Sequence, residues 1–121
     1  MTNFQYTTVG QSSITEIGLP SEGNDIALRL HDHLTPKDET KIKDALEKKF
    51  PLRVHLANSV EGHKELHIAG EKGVSLSEAF RKVSNCLHGA NYLSGPEIAT
   101  ARMAADAMRR GGEEKVSGVG Y

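Results

Sequence analysis

Between Asp25 and Ala69 the spacing of apolar residues changes period twice, and no other part of the chain restricts its folding as tightly. Ile26, Leu28 and Leu30 alternate with Ala27, Arg29 and His31, the two-residue period of a half-buried strand. Thr35-Pro36-Lys37-Asp38 then carries a helix start: a capping hydroxyl, proline at the first helical position and an acid able to reach back to the cap amide. Ile42, Ala45, Leu46 and Phe50 repeat at helical spacing until Pro51, whose ring disfavours helical geometry in the residue before it. Period two returns with Leu52, Val54 and Leu56, and again with Leu66 and Ile68 after a turn at Asn58–Gly62. The short second connection predicts antiparallel pairing of the last two strands. The helical crossover lets the first run parallel to the second.

The flanks add to this unit. Phe4, Tyr6 and Thr8 alternate with Gln5, Thr7 and Val9, and Ile14–Leu19 reads as the return arm of a hairpin over residues 3–19, with Gly18 weakening it or marking a bulge. Ser75-Leu76-Ser77-Glu78 opens an amphipathic helix over 76–92, with Leu76, Ala79, Phe80, Val83, Cys86, Leu87 and Ala90 on one face and Gly89 or Asn91 to end it. Ser94-Gly95-Pro96-Glu97 opens an alanine-rich helix over 95–110, with Arg109 and Arg110 at its end, stopped by Gly111-Gly112. Residues 111–121 have no period and are expected to be a mobile tail, or a short edge strand using Val116, Val119 and Tyr121. The predicted architecture is a single α+β domain, residues 1–110. It is a two-layer sandwich in the order β-β-β-α-β-β-α-α, with a mixed or antiparallel sheet of four or five strands covered on one face by two or three helices.

The totals limit the function classes. The 121-residue chain suffices for one core without metal or disulfide staples. Its net charge of −1 offers no overall attraction for nucleic acid, and aromatic residues at 5% leave few rings for stacking bases. A single cysteine permits no internal disulfide and suggests a reducing, cytoplasmic setting. No apolar run reaches the roughly 20 residues of a membrane span, and Met1-Thr2-Asn3-Phe4 lacks the charged start and apolar core of a secretion signal.

The polar side of the predicted sheet supplies the candidate site. Arg29, His31, Arg53, His55, Glu65 and His67 all fall by parity on the face away from the helices, where imidazoles and guanidiniums can bind a partner, phosphate or carboxylate. His31-Asp32-His33 places two imidazoles on one side of a strand, and with His55 or His67 they form a candidate site for one transition-metal ion. His63-Lys64-Glu65-Leu66-His67 resembles a zinc-protease motif in composition only: the glutamate is one place late and the local period is that of a strand. Cys86 lies on an apolar stripe, as a structural thiol does. Gly118-Val119-Gly120 lacks the helix and lysine of a phosphate loop. Lys37, Lys41, Lys48 and Lys49 are interleaved with acids, as on a solvated helix surface.

The reading that follows is a non-enzymatic protein-binding module, an adaptor, inhibitor or regulatory subunit. It would act without a cofactor through the sheet face or the alanine-rich helix, with another protein or a second copy of itself as partner. The alternatives are a metal-binding protein or hydrolytic enzyme built on His31, His33, His55 and His67, and nucleic-acid binding by the Arg/His face, which would be steeply salt-dependent.

Overall fold

The computed structural model of the chain describes residues 4–10, 13–59 and 61–120, of which 108–120 as backbone alone. Eight elements follow in chain order: β1 (Phe4–Thr8), β2 (Ile14–Pro20), β3 (Ile26–Leu30), α1 (Pro36–Lys49), β4 (Val54–Asn58), β5 (Lys64–Ile68), α2 (Leu76–Gly89) and α3 (Gly95–Gly120). The strands form one open five-stranded sheet in the order β1-β2-β3-β5-β4, with every neighbouring pair antiparallel. The N-terminal hairpin therefore joins the main sheet. β3 and β4 run in the same direction, as a helical crossover requires, but β5 is inserted between them.

Alternation puts Ile17, Leu19, Ile26, Leu28, Leu30, Val54, Leu66 and Ile68 on one face of the sheet. There they form a single core cluster with Ile42 and Leu46 of α1, Phe80, Val83 and Leu87 of α2, and Ala101 and Ala105 of α3. All three helices thus cover the same face, and the other face has none. Ile14 and Ile17 are three apart yet both buried, because the β2–β3 register shifts between Ile14 and Glu16. This bulge at Thr15 returns Glu16 to the helix-free face. It lies three residues before Gly18, the position where the sequence suggested one.

The helix ends follow local chemistry. Thr35 caps α1 with a complete capping box: its hydroxyl accepts from the Asp38 amide and the Asp38 carboxylate accepts from the Thr35 amide. Ser94 and Glu97 exchange the same pair of bonds at α3. At α2 the Ser75 hydroxyl accepts from the Glu78 amide. α2 ends with Asn91 in the left-handed region (φ 64°), the Tyr92 amide bonded to the Leu87 carbonyl at 2.8 Å and the Asn91 amide to the His88 carbonyl at 3.1 Å. That is the Schellman arrangement, with asparagine in the place glycine usually takes.

α3 extends past Gly111-Gly112, where the sequence placed its end, and runs to Gly120. Two glycines cost a helix roughly 2 kcal/mol, which lowers its stability without breaking its geometry, and Glu113-Glu114-Lys115 are good helix formers. Val116 and Val119, expected in a tail or a short edge strand, are thus on helical backbone; the expected roles of Arg109 and Arg110 lie outside the described side chains, and Tyr121 and the predicted turn residues Gln11 and Ser12 lie outside the described residues. Among the described residues no helix is long and apolar enough to cross a membrane.

Leu52 does not begin β4 as its spacing suggests. It occupies the third position of a turn closed by the Arg53 amide on the Phe50 carbonyl at 3.1 Å, with φ 64° and 89% of its surface exposed. Proline at the second position and positive φ at the third define a type II turn, a position that favours glycine. Leu52→Gly removes left-handed strain and loses no buried area, so chemical denaturation is expected to show a gain of about 0.5–1 kcal/mol. A loss of stability would show that the leucine makes contacts in the folded monomer.

Candidate binding face

Two rows of residues cross the helix-free face. The first is Tyr6, Gly18, Ala27, His67 and His55; the second is Thr8, Glu16, Arg29, Glu65 and Ala57. Gly18 and Ala27 have almost no side chain, so the middle of the first row is a shallow floor. The Tyr6 ring lies across it. A Cβ at Gly18 would stand 2.7 Å from Tyr6 Cε1, closer than any tolerated contact. Glycine at position 18 is therefore there for a close approach, not for a bulge.

β1 and β5 are three strand spacings or about 14 Å apart, and Tyr6, laid flat, meets the Glu65 side chain extended toward it from β5. Its hydroxyl donates to Glu65 Oε1 at 2.9 Å and lies 3.0 Å from Oε2. Arg29 Nε donates to Glu65 Oε2 at 2.7 Å, and His67 Nε2 stands 2.8 Å from Oε1. Arg29 is also paired with Glu16 at 3.3 Å and Glu61 at 3.5 Å, and its guanidinium stacks 3.7 Å from the centre of the Tyr6 ring. The Phe4 ring extends the cover over His67, centroid to centroid 5.4 Å. Glu65 is only 3% exposed, yet its carboxylate has three side-chain partners. Among the described residues every buried side-chain nitrogen and oxygen has a hydrogen-bond partner, as a polar network in a low-dielectric layer requires.

The titrations follow from this packing. Burial pushes the Tyr6 hydroxyl up to about 12, and its bond to the Glu65 carboxylate adds to the shift. Burial would raise Glu65, but the bonds from His67, Arg29 and Tyr6 outweigh it and hold the carboxyl below its ordinary value. Burial opposes the charge of Arg29, and the Glu65 and Glu16 carboxylates overcome that and raise it.

Four of the six predicted face residues, Arg29, His55, Glu65 and His67, come together here. Glu65 is the internal anchor of the cluster and is not itself presented for contact. Arg53 is elsewhere: it precedes β4, pairs with Glu71 at 3.7 Å and stacks on Phe50, 5.2 Å from the ring centre, at the end of α1. The type II turn at Pro51-Leu52 takes Leu52 out of the strand, and Arg53 lies at the strand's entrance beside Phe50 and Glu71. His31 is also separate. His67 lies opposite Ala27, and His31 is four residues past Ala27, just beyond the end of β3, roughly 13 Å away. There its Nδ1 meets Nδ1 of His33 and accepts from the His33 amide. The four candidate metal ligands therefore divide into two pairs, His31 with His33 and His55 with His67. Among the described residues no group of three or more His, Cys, Asp or Glu side chains is placed to hold a metal ion. Cys86 is half-buried, donates to the Ala45 carbonyl at 3.5 Å, and burial pushes its thiol up, which disfavours the nucleophilic thiolate.

Sequence reasoning missed Phe4, Tyr6, Glu16 and Glu61 as members of the face. The signal was present in Gly18: a glycine inside a strand marks a close approach as readily as a bulge. Its partner could be named only once the β1–β2 register was known. No protein family, curated protein or solved structure matches this chain.

Two pH predictions follow. Glu65 releases its proton more readily folded than unfolded, so its contribution is complete above the ordinary value of 4.5 and is lost as pH falls below it through the folded value. Glu65→Gln should flatten this acid limb and cost about 1.5–3 kcal/mol at neutral pH by urea denaturation. Tyr6 holds its proton more tightly folded than unfolded, so its contribution is present below pH 10 and lost as pH rises to about 12. Tyr6→Phe should remove the highest-pH step in the tyrosinate absorbance titration.

Gly18→Ala should displace the Tyr6 ring and destabilise the fold by about 1–3 kcal/mol. The double variant Gly18→Ala/Tyr6→Ala should show much less than the summed losses, since removal of the ring makes room for the methyl group. Additive losses would mean that the glycine serves backbone conformation alone.

Proposed function

We propose that the protein is a non-enzymatic binding module whose helix-free sheet face takes a positively charged segment of a protein partner. The observation that carries this reading is the charge around Arg29. One guanidinium is surrounded by the carboxylates of Glu16, Glu61 and Glu65. A guanidinium engaged this way has few N–H groups left to donate to a phosphate, so the arrangement disfavours nucleic acid and favours a cation. The rim fits a protein interface in composition: Tyr6, Phe4, Arg29, His67 and His55 give aromatic and planar polar area at low entropic cost. Their mutual bonds hold the surface in shape before a partner arrives, which lowers the cost of binding. Glu61 (half-exposed or more) and Glu16 remain accessible for a lysine or arginine of the partner.

The test uses the intact protein and short synthetic peptides. An arginine- and lysine-rich peptide should perturb the amide resonances of Glu16, Glu61, His55 and His67, and the charge-neutralising pair Glu16→Gln/Glu61→Gln should weaken binding at least tenfold. A polyphosphate or single-stranded oligonucleotide should leave those resonances unchanged. If the oligonucleotide bound there and the basic peptide did not, the face would have the opposite preference and this reading would be wrong.

A further inference from the structure

His31-Asp32-His33 takes no part in the polar face, and it lies on a turn where its spacing suggested a strand. β3 ends at Leu30. The His31 amide donates to the Ser13 carbonyl at 2.9 Å, and the Leu34 amide closes the turn on the His31 carbonyl at 3.1 Å. Leu34 packs against the core, and Thr35 opens the capping box of α1. The backbone that carries both histidines is therefore tied at each end, to β2 on one side and to the core and a helix start on the other.

Along a strand the two residues would stand about 6.6 Å apart. The turn brings them closer. The ring centroids are 4.0 Å apart with 56° between the planes, and the two Nδ1 atoms converge to 2.5 Å. That separation leaves room for at most one proton between them. The His33 amide donates to His31 Nδ1 at 3.2 Å, so this nitrogen presents a lone pair and a neutral His31 carries its proton on Nε2. His33 is exposed and His31 half-buried, so the pair is reached from solvent. Asp32 is exposed between them, and Asp38 lies close enough to His33 for their charges to interact. Both carboxylates favour a cation here. His67, in the other histidine pair, has its Nε2 on Glu65 and its ring against Phe4.

We infer that His31 and His33 chelate one divalent first-row transition-metal ion through their Nδ1 atoms. Neutral imidazole suits zinc, nickel and copper. Metal–nitrogen distances of about 2.0–2.1 Å, with a right angle at the ion, set the two nitrogens roughly 2.9 Å apart, about 0.4 Å more than their present separation. The turn permits this by a small rotation of two accessible rings. Binding replaces the contact from the His33 amide. A neutral His33 moves its proton to Nε2, so each ring offers Nδ1 and stays uncharged. Two protein donors leave the other positions to water or to a donor from another molecule, as in an open site and unlike a closed structural one. The ion therefore exchanges, and the fold does not depend on it. This inference is independent of what the polar face binds.

Zn²⁺ titrated into the untagged full chain, followed through the imidazole nitrogen resonances, provides the test. The expected result is saturation at one ion per chain below about 1 mM, with the Nδ1 resonances of His31 and His33 shifted and those of His55 and His67 unmoved. His31→Ala and His33→Ala should each weaken binding at least tenfold with unchanged circular dichroism. Cu²⁺ should bind more tightly than Zn²⁺, and Mg²⁺, which takes oxygen donors, should move neither resonance. The inference is overturned if Zn²⁺ at about 1 mM leaves both rings unshifted or shifts His55 and His67 in their place. It is equally overturned if both alanine variants bind as the parent does, or if Mg²⁺ reproduces the shifts.

Discussion

A carboxylate with almost no contact with water is the constraint on which the helix-free face depends. Glu65 cannot be left there unpaired: an isolated buried charge would cost several kcal/mol, a large share of the narrow margin by which a domain is stable. Its partners come from β1 (Tyr6), β3 (Arg29) and β5 itself (His67). Satisfying it therefore specifies the position of three strands. The same demand fixes Gly18 and Ala27, because Tyr6 reaches Glu65 only across a floor without side chains. A single buried acid thus explains the small residues, the aromatic residues and the guanidinium together.

The network also makes the sheet intolerant of misalignment. β5 is held between β3 and β4, and a slip by one residue would turn Glu65 and His67 into the helix-covered core and Leu66 out to solvent. Apolar alternation penalises that slip on one side of the sheet, and the Glu65 bonds penalise it on the other. Buried ionic groups often contribute less to stability than to selecting one arrangement among several. The Arg29–Glu65 pair is placed to do so here.

How much of this was legible depends on sequence distance. The capping boxes at Thr35 and Ser94, the apolar stripe of α2 and the element order are local patterns, and they were readable because their causes lie within a few residues. Half-buried strands also show which residues share a face, which brought Arg29, His55, Glu65 and His67 together correctly. Parity says nothing of position along a strand: Arg53 stands at the entrance of β4 beside Phe50 and Glu71, and His31 past the end of β3, so a shared parity was not a shared place. Strand order is not written in any period: local alternation does not say that β5 enters between β3 and β4. The Tyr6 contact was hidden for the same reason, since its partner is 59 residues away.

That distance has a kinetic side. The β1–β2 and β2–β3 pairings close short loops, whereas β5 must cross the whole of α1 and β4 before it meets β3. Closing a loop of that length is entropically expensive and slow relative to a hairpin. Until it closes, Arg29 has Glu16 as a local partner and Tyr6 has nothing to donate to at the far end of its floor. A three-stranded N-terminal meander can thus form early with its ring in place, leaving one socket to be filled. In the finished sheet β5 fills that socket and ties the N-terminal strands to the rest of the chain.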